Sequence, residues 1–122
     1  MPERERVTEK PWGSEVILRK TADYVVKLLR VNAGCRLSLQ YHRIKWEMLQ
    51  LGSGRVTLEI HKDGQIVRQE LLHPVEVPAG TIHRLMAIDD SEVIEVSTTE
   101  LDDVVRLEDD YDRLGKTKGE EQ

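Results

Sequence analysis

From Arg55 to His61 the chain alternates, with Val56, Leu58 and Ile60 set against Thr57, Glu59 and His61; Lys62-Asp63-Gly64-Gln65 then leads into Ile66-Val67-Arg68. A period of two sends successive side chains to opposite faces of an extended strand, and Asp-Gly suits a tight hairpin. A helix cannot use that period, so this stretch reads as two paired strands. Further short aliphatic runs are Glu15–Leu18, Tyr24–Val31, Leu37–His42 and Glu92–Ser97, each bounded by turn residues. Many short strands at even spacing predict an all-β sandwich or barrel. The best helical candidate is Leu101 to Tyr111, where Val104, Val105 and Glu108 fit a short turn or helix. No internal repeat is visible.

Length and composition narrow the functional classes. A chain of 122 residues predicts one domain, 1–122, with its core at about 7–113 and a flexible tail at 114–122 that lacks apolar content. No apolar run approaches the ~18 residues of a membrane span, and the charged start Met1-Pro2-Glu3-Arg4-Glu5-Arg6 does not read as a signal peptide. One cysteine, Cys35, excludes an intramolecular disulfide. These features predict a cytoplasmic protein. The formal net charge of −5, with no basic cluster and no Phe, argues against a nucleic-acid partner. A small anionic substrate stays compatible, because the field inside a pocket need not follow the net charge.

The chemistry concentrates in two runs. Gln40 and His42 are two apart on a strand and share a face, and Arg43-Ile44-Lys45-Trp46 is long enough to bring Glu47 back alongside His42. His83 opens a strand after the turn Pro78-Ala79-Gly80. Gln40, His42, Glu47 and His83 together predict one divalent metal site. Imidazole and oxygen donors without thiolate suit Zn, Mn, Co, Fe or Ni. His61 and His73 are expected at the surface, Cys35 as a passive thiol, Trp12 as a packing anchor, and Leu107-Glu108-Asp109-Asp110 as a solvated stretch.

The spacing of Gly34, Gln40, His42, Glu47 and Gly54, followed by Pro78, Gly80 and His83, resembles the two motifs of the cupins. Gln in the first ligand position is similar to the mannose-6-phosphate isomerase pattern. Lys10-Pro11-Trp12-Gly13-Ser14-Glu15, Leu37-Ser38-Leu39-Gln40, Pro78 to Leu85 and Val104 to Tyr111 resemble the isomerase domain of type II enzymes and its stand-alone small relatives. The resemblance covers roughly residues 7 to 113. It implies a cupin double-stranded β-helix (a jelly-roll barrel) and aldose–ketose interconversion of a hexose phosphate such as mannose 6-phosphate. Leu72 and Ala87 depart from the second motif at positions that donate nothing to a metal. Trp46, Met48 and Leu49 depart beside the site, where they bear on the substrate.

If Gln40 and His42 face inward, strand parity turns Arg36 and Ser38 inward too, and Leu37, Leu39 and Tyr41 outward. Three outward apolar side chains need cover, which predicts a homodimer. An isomerase acting on a sugar phosphate also needs a cation for the phosphate and a base for the proton. Arg36 ranks first as the cation, Lys45 in the turn over the site second, and Arg84 third. No base stands out, since the Ile94/Val96 pattern turns Glu95 outward. Two alternatives therefore stay open: another cupin enzyme such as a dioxygenase, or a non-catalytic sugar- or metabolite-binding module.

Overall fold

The computed structural model describes residues 6–113, so the expected tail at 114–122 lies outside the described residues. Eleven strands follow one another: β1 (Arg6–Lys10), β2 (Gly13–Lys20), β3 (Val25–Val31), β4 (Leu39–Tyr41), β5 (Glu47–Ser53), β6 (Val56–Lys62), β7 (Gln65–Glu70), β8 (Val75–Val77), β9 (Ile82–Ala87), β10 (Ser91–Ser97) and β11 (Val105–Glu108). Among the described residues no helix is long and apolar enough to cross a membrane. The helical turn expected between Leu101 and Tyr111 is instead β11 flanked by turns. β-branched Val104 and Val105 suit an extended chain, and here the strand pairs with β4.

Two antiparallel sheets form, in the orders β1-β2-β3-β10-β5-β8 and β11-β4-β9-β6-β7. From β3 onward the chain passes repeatedly from one sheet to the other, so residues distant in sequence become neighbours. The hairpin read at Asp63-Gly64 is present, with φ of 53° and 75° at its two central residues, both in the region that a type I′ turn requires. Gly54 also has a structural reason: at φ 86°, a Cβ there would collide with Ser91 Oγ and the Asp90 carbonyl.

The facing sides of the sheets divide into an apolar and a polar half. Leu29 opposes Val93, which opposes Leu51, while Leu58 opposes Leu85 in the other sheet. Leu29, Val93, Leu58 and Leu85 join Val31, Leu49, Val56 and Trp12 in the buried core, and the partly buried Leu51 packs against it. Each aliphatic side chain buried there contributes about 1.5–3 kcal/mol. The same strands carry Lys27, Glu47, Glu95 and His83 at the other end, all buried.

The parity reading of the Arg36–Tyr41 segment needs correction. Regular pairing in β4 begins only at Leu39, and Arg36 makes an isolated bridge to Met86. Alternation holds only along a continuous strand, so it breaks here. Leu37 enters the core and Leu39 is buried within the same chain. Arg36 points outward and is half-exposed. Leu37 and Leu39 thus find cover within the chain while Tyr41 is half-buried, so the parity argument no longer calls for a homodimer.

Candidate metal centre and its pocket

His83 lies on β9 directly opposite Gln40 on β4, so the two share the inward face. His42 follows β4 and Glu47 opens β5, opposite Ser97 and Val77. The turn between them is fixed by Asp103, whose carboxylate accepts from the backbone N–H groups of Arg43, Ile44 and Lys45 at 3.0, 2.7 and 2.8 Å. The backbone carbonyl of Asp103 also accepts from His42 Nδ1 at 2.6 Å. One residue thus sets both the turn and the ring, and nothing in the local sequence pattern announces it.

His83 Nδ1 lies 2.8 Å from the carbonyl of Thr81. A carbonyl can only accept, so each imidazole carries its proton on Nδ1 and turns a bare Nε2 lone pair inward. His42 Nε2 is 3.2 Å from Glu47 Oε1, and His83 Nε2 is 3.4 Å from Glu47 Oε2. Both Nε2 atoms and Glu47 Oε1 are buried without a hydrogen-bond partner. Acceptors facing acceptors in a dry site repel unless a cation lies between them. Donors about 2.1 Å from one ion stand about 3.0–3.4 Å apart at tetrahedral or octahedral angles, which the two measured separations match. His42, Glu47 and His83 therefore form a single site fitted to one divalent metal ion. Gln40 lines the same pocket and accepts from Ser38 Oγ at 3.3 Å.

The cluster adjoins a pocket of about 60 Å³ that opens to solvent. Lys45 is buried in it, with Nζ 3.3 Å from Glu47 and 3.0 Å from Glu95. Burial works against its charge, but Glu95 and Glu47 outweigh that and raise its pKa, so Lys45 is held as an ammonium. Burial likewise pushes the Glu47 carboxyl up, yet its close neighbours, the Lys45 ammonium at 3.3 Å among them, hold it well below the usual carboxylate range.

Glu95 corrects the sequence reading. On β10 the buried set is Ser91, Val93, Glu95 and Ser97, so Glu95 faces inward, opposite Lys27 and Leu49. Ile94 and Val96 lie on the other side, where they remain half-buried. Apolar content alone picked the wrong face, because a strand inside a sheet buries much of both.

Arg36 and Arg84 do not line the pocket. Arg36 makes a two-pronged contact with Asp110, at 2.7 and 3.0 Å. Arg84, next to His83 on the strand, faces away from the site; its Nε donates to the Leu37 carbonyl at 3.1 Å and its Nη1 is 3.6 Å from Glu108. The acidic stretch is not simply solvated either: the Asp109 side chain is fully buried against Arg113, 2.9 Å away. Lys10, Glu15, Lys27, Arg106 and Arg113 also line the pocket, unnoticed in the sequence reading. Lys10 and Arg106 stood inside resembling stretches, but only strand pairing shows which way they face.

The depressed carboxyl of Asp103 gives a pH prediction. Burial pushes it up, but its three backbone hydrogen bonds pull it below its ordinary 3.8. A depressed carboxyl adds stability that is present above the unfolded pKa and lost as pH falls through the folded one. In Asp103→Asn an amide NH₂ would replace one oxygen that accepts N–H bonds. We expect the variant to melt below wild type at neutral pH, by an amount worth about 1 kcal/mol. The gap should close as pH drops below about 4. Melting curves of equal offset at pH 7 and pH 2.5 would contradict this.

A family profile described as mannose-6-phosphate isomerase C-terminal matches residues 3–109. The mannose-1-phosphate guanylyltransferase ManC of Salmonella typhimurium is 32% identical over 116 residues, covering 89% of this chain and 23% of the relative. The xanthan biosynthesis protein XanB of Xanthomonas campestris pv. campestris is 30% identical over 113 residues, covering 88% and 24%. The chain thus spans about a quarter of the length of the curated relatives it matches. Among solved structures, the capsular polysaccharide assembling protein CapF of Staphylococcus aureus superposes with a TM-score of 0.68 at 17% identity, over 80% of this chain and 29% of that one. Oxalate decarboxylase of Bacillus subtilis gives 0.72 at 15% identity, over 84% and 30%. KdgF of Halomonas sp. gives 0.66 at 18% identity, over 79% and 86%. At such identities the structures speak for the fold alone. Two antiparallel sheets in the cupin double-stranded β-helix arrangement are common ground.

Proposed function

We propose that this chain, which belongs to the mannose-6-phosphate isomerase C-terminal family of cupins, is a metal-dependent sugar-phosphate isomerase. The observation that carries the proposal is the convergence of His42 Nε2, His83 Nε2 and Glu47 in one buried cluster, with His42 and Glu47 lining an open pocket. Gln40, on the same inward face, completes the proposed ligand set. A divalent ion held there would polarise a carbonyl or hydroxyl oxygen of the sugar as a Lewis acid.

The remaining chemistry falls to the chain's own groups. Aldose–ketose interconversion takes a proton from the carbon beside the carbonyl and returns it to the neighbouring carbon. Two pocket carboxylates lie outside the ligand cluster, Glu15 and Glu95; Glu95 is the one joined through Lys45 to Glu47, and we assign it that proton. Lys45 cannot share the role while held as an ammonium. It fixes the Glu95 carboxylate at 3.0 Å and offers positive charge to an oxyanion that develops nearby. The apolar side chains Leu29, Leu37, Leu101 and Val104 wall the pocket and limit water around the proton transfer.

The test is conversion of mannose 6-phosphate to fructose 6-phosphate by protein loaded with each candidate ion. Turnover with at least one ion supports the reading. One further reading has a specific basis, since the chain matches only about a quarter of its curated relatives: a non-catalytic sugar-binding module. Thermal stabilisation by the sugar phosphate without turnover would replace the isomerase reading with that one.

A further inference from the structure

The pocket has the opposite sign to the chain. Against a net charge of −5, its lining holds five cations, Lys10, Lys27, Lys45, Arg106 and Arg113, and three carboxylates, Glu15, Glu47 and Glu95. The carboxylates are engaged within the pocket: Lys45 spans Glu47 and Glu95, and Lys27 lies 3.4 Å from Glu15. The other three cations come from the two ends of the described chain: Lys10 where β1 ends, and Arg106 and Arg113 from the C-terminal segment, with Asp109 beside Arg113.

Strand pairing explains how these residues arrive there. Arg106 on β11 sits directly opposite Gln40 on β4, and directly opposed residues share a face. Arg113 is buried and anchored through its Nε to Asp109 at 2.9 Å. Lys10 lies at the last position of an edge strand paired to Gly13. Burial and the nearby Arg113, Lys27 and Arg106 work against its charge, while Glu15 favours it. Burial and Arg113 likewise oppose the charge of Arg106, while Asp109 favours it. Like charges crowded in a partly dry pocket are costly, and a dianion among them would relieve that cost. Guanidinium groups also match the geometry of phosphate oxygens.

We propose that Lys10, Arg106 and Arg113 form an anion subsite that takes the phosphoryl group of the ligand, separate from the metal cluster and built from the two ends of the described chain. The inference rests on the reading that this pocket is the substrate site, and it assigns the phosphate grip to residues other than Arg36, Lys45 and Arg84. It also fixes the ligand's direction: the phosphate lies toward β1 and β11, and the reacting carbons lie toward Glu47 and Glu95.

Calorimetric titration with inorganic phosphate, mannose 6-phosphate and mannose tests it, with metal content measured on every sample. Wild type should bind mannose 6-phosphate at least tenfold tighter than mannose, and phosphate alone should compete. Arg106→Gln and Lys10→Gln should each weaken mannose 6-phosphate binding tenfold or more while keeping wild-type metal content. Arg36→Gln, on the outer face, should change nothing. Lys10→Gln lies on an edge strand and covers the case in which Arg106→Gln does not fold. Wild-type affinity in both pocket variants, or equal affinity for mannose and its phosphate, would overturn the subsite. Wild type that takes up no metal on reconstitution yet still binds phosphate would sink the metal reading and leave this one standing.

Discussion

Untagged protein is expected to carry close to one divalent ion per chain, and the His42→Ala/His83→Ala double variant is expected to carry none. The reason is the arrangement of lone pairs. Both Nδ1 protons are engaged by backbone carbonyls, so both Nε2 atoms meet Glu47 as acceptors, buried and without a donor between them. Removing both imidazoles leaves one carboxylate, which Lys45 already neutralises at 3.3 Å. Elemental analysis reads this directly. A chelator should also lower the melting temperature of wild type and leave that of the double variant unmoved. Ligand linkage sets the scale, at about 2.7 kcal/mol when free metal stands at 100 times its dissociation constant. Glu47→Gln is a second variant that keeps the side-chain volume and should lose metal too. Wild type that holds no ion after reconstitution with each candidate metal would remove the metal site, and the isomerase reading with it.

The second large effect is expected at Glu95. In Glu95→Gln the shape and neighbours stay but the proton acceptor is gone, and loss of a positioned base costs turnover about 10²–10⁴-fold. The loss should fall on kcat, with KM for the sugar phosphate changed little and metal content unchanged. Lys45 keeps Glu47 as a partner, so the variant should fold. Solvent deuterium should enter the product through wild type and not through Glu95→Gln. Those two signatures separate a base from a residue that merely holds Lys45 in place. Turnover within threefold of wild type would sink the assignment.

Local spacing was enough to read much of this protein. Alternation at Arg55–His61 and the turn at Asp63-Gly64 located β6 to within one residue and the centre of β7. The metal cluster was legible because its ligands fall in two short runs, each close to a turn. Its two His and one Glu come together as the spacing required. Leu101–Tyr111 was misread because a short run with two β-branched residues has no period long enough to separate a turn from an edge strand. Arg36 and Glu95 were misread for a related reason. Parity is a rule about continuous strands, and neither the irregularity before Leu39 nor the two-sided burial of β10 leaves a mark in composition.

The sequence by itself determined the β architecture, the separation of its turns and the three side chains, His42, Glu47 and His83, that gather in the candidate metal cluster. All of these follow from local backbone preference and from donor chemistry within a few residues. Only the tertiary structure decided what surrounds the metal. Glu95 came inward through the pairing of β10 with both β3 and β5, and Asp103 reached His42 and its turn from about sixty positions away. Lys10 and Arg106 met in one pocket because β1 and β11 belong to different sheets that close on it. Such contacts depend on which strands pair and in what register, and that is settled by the burial of the whole chain at once.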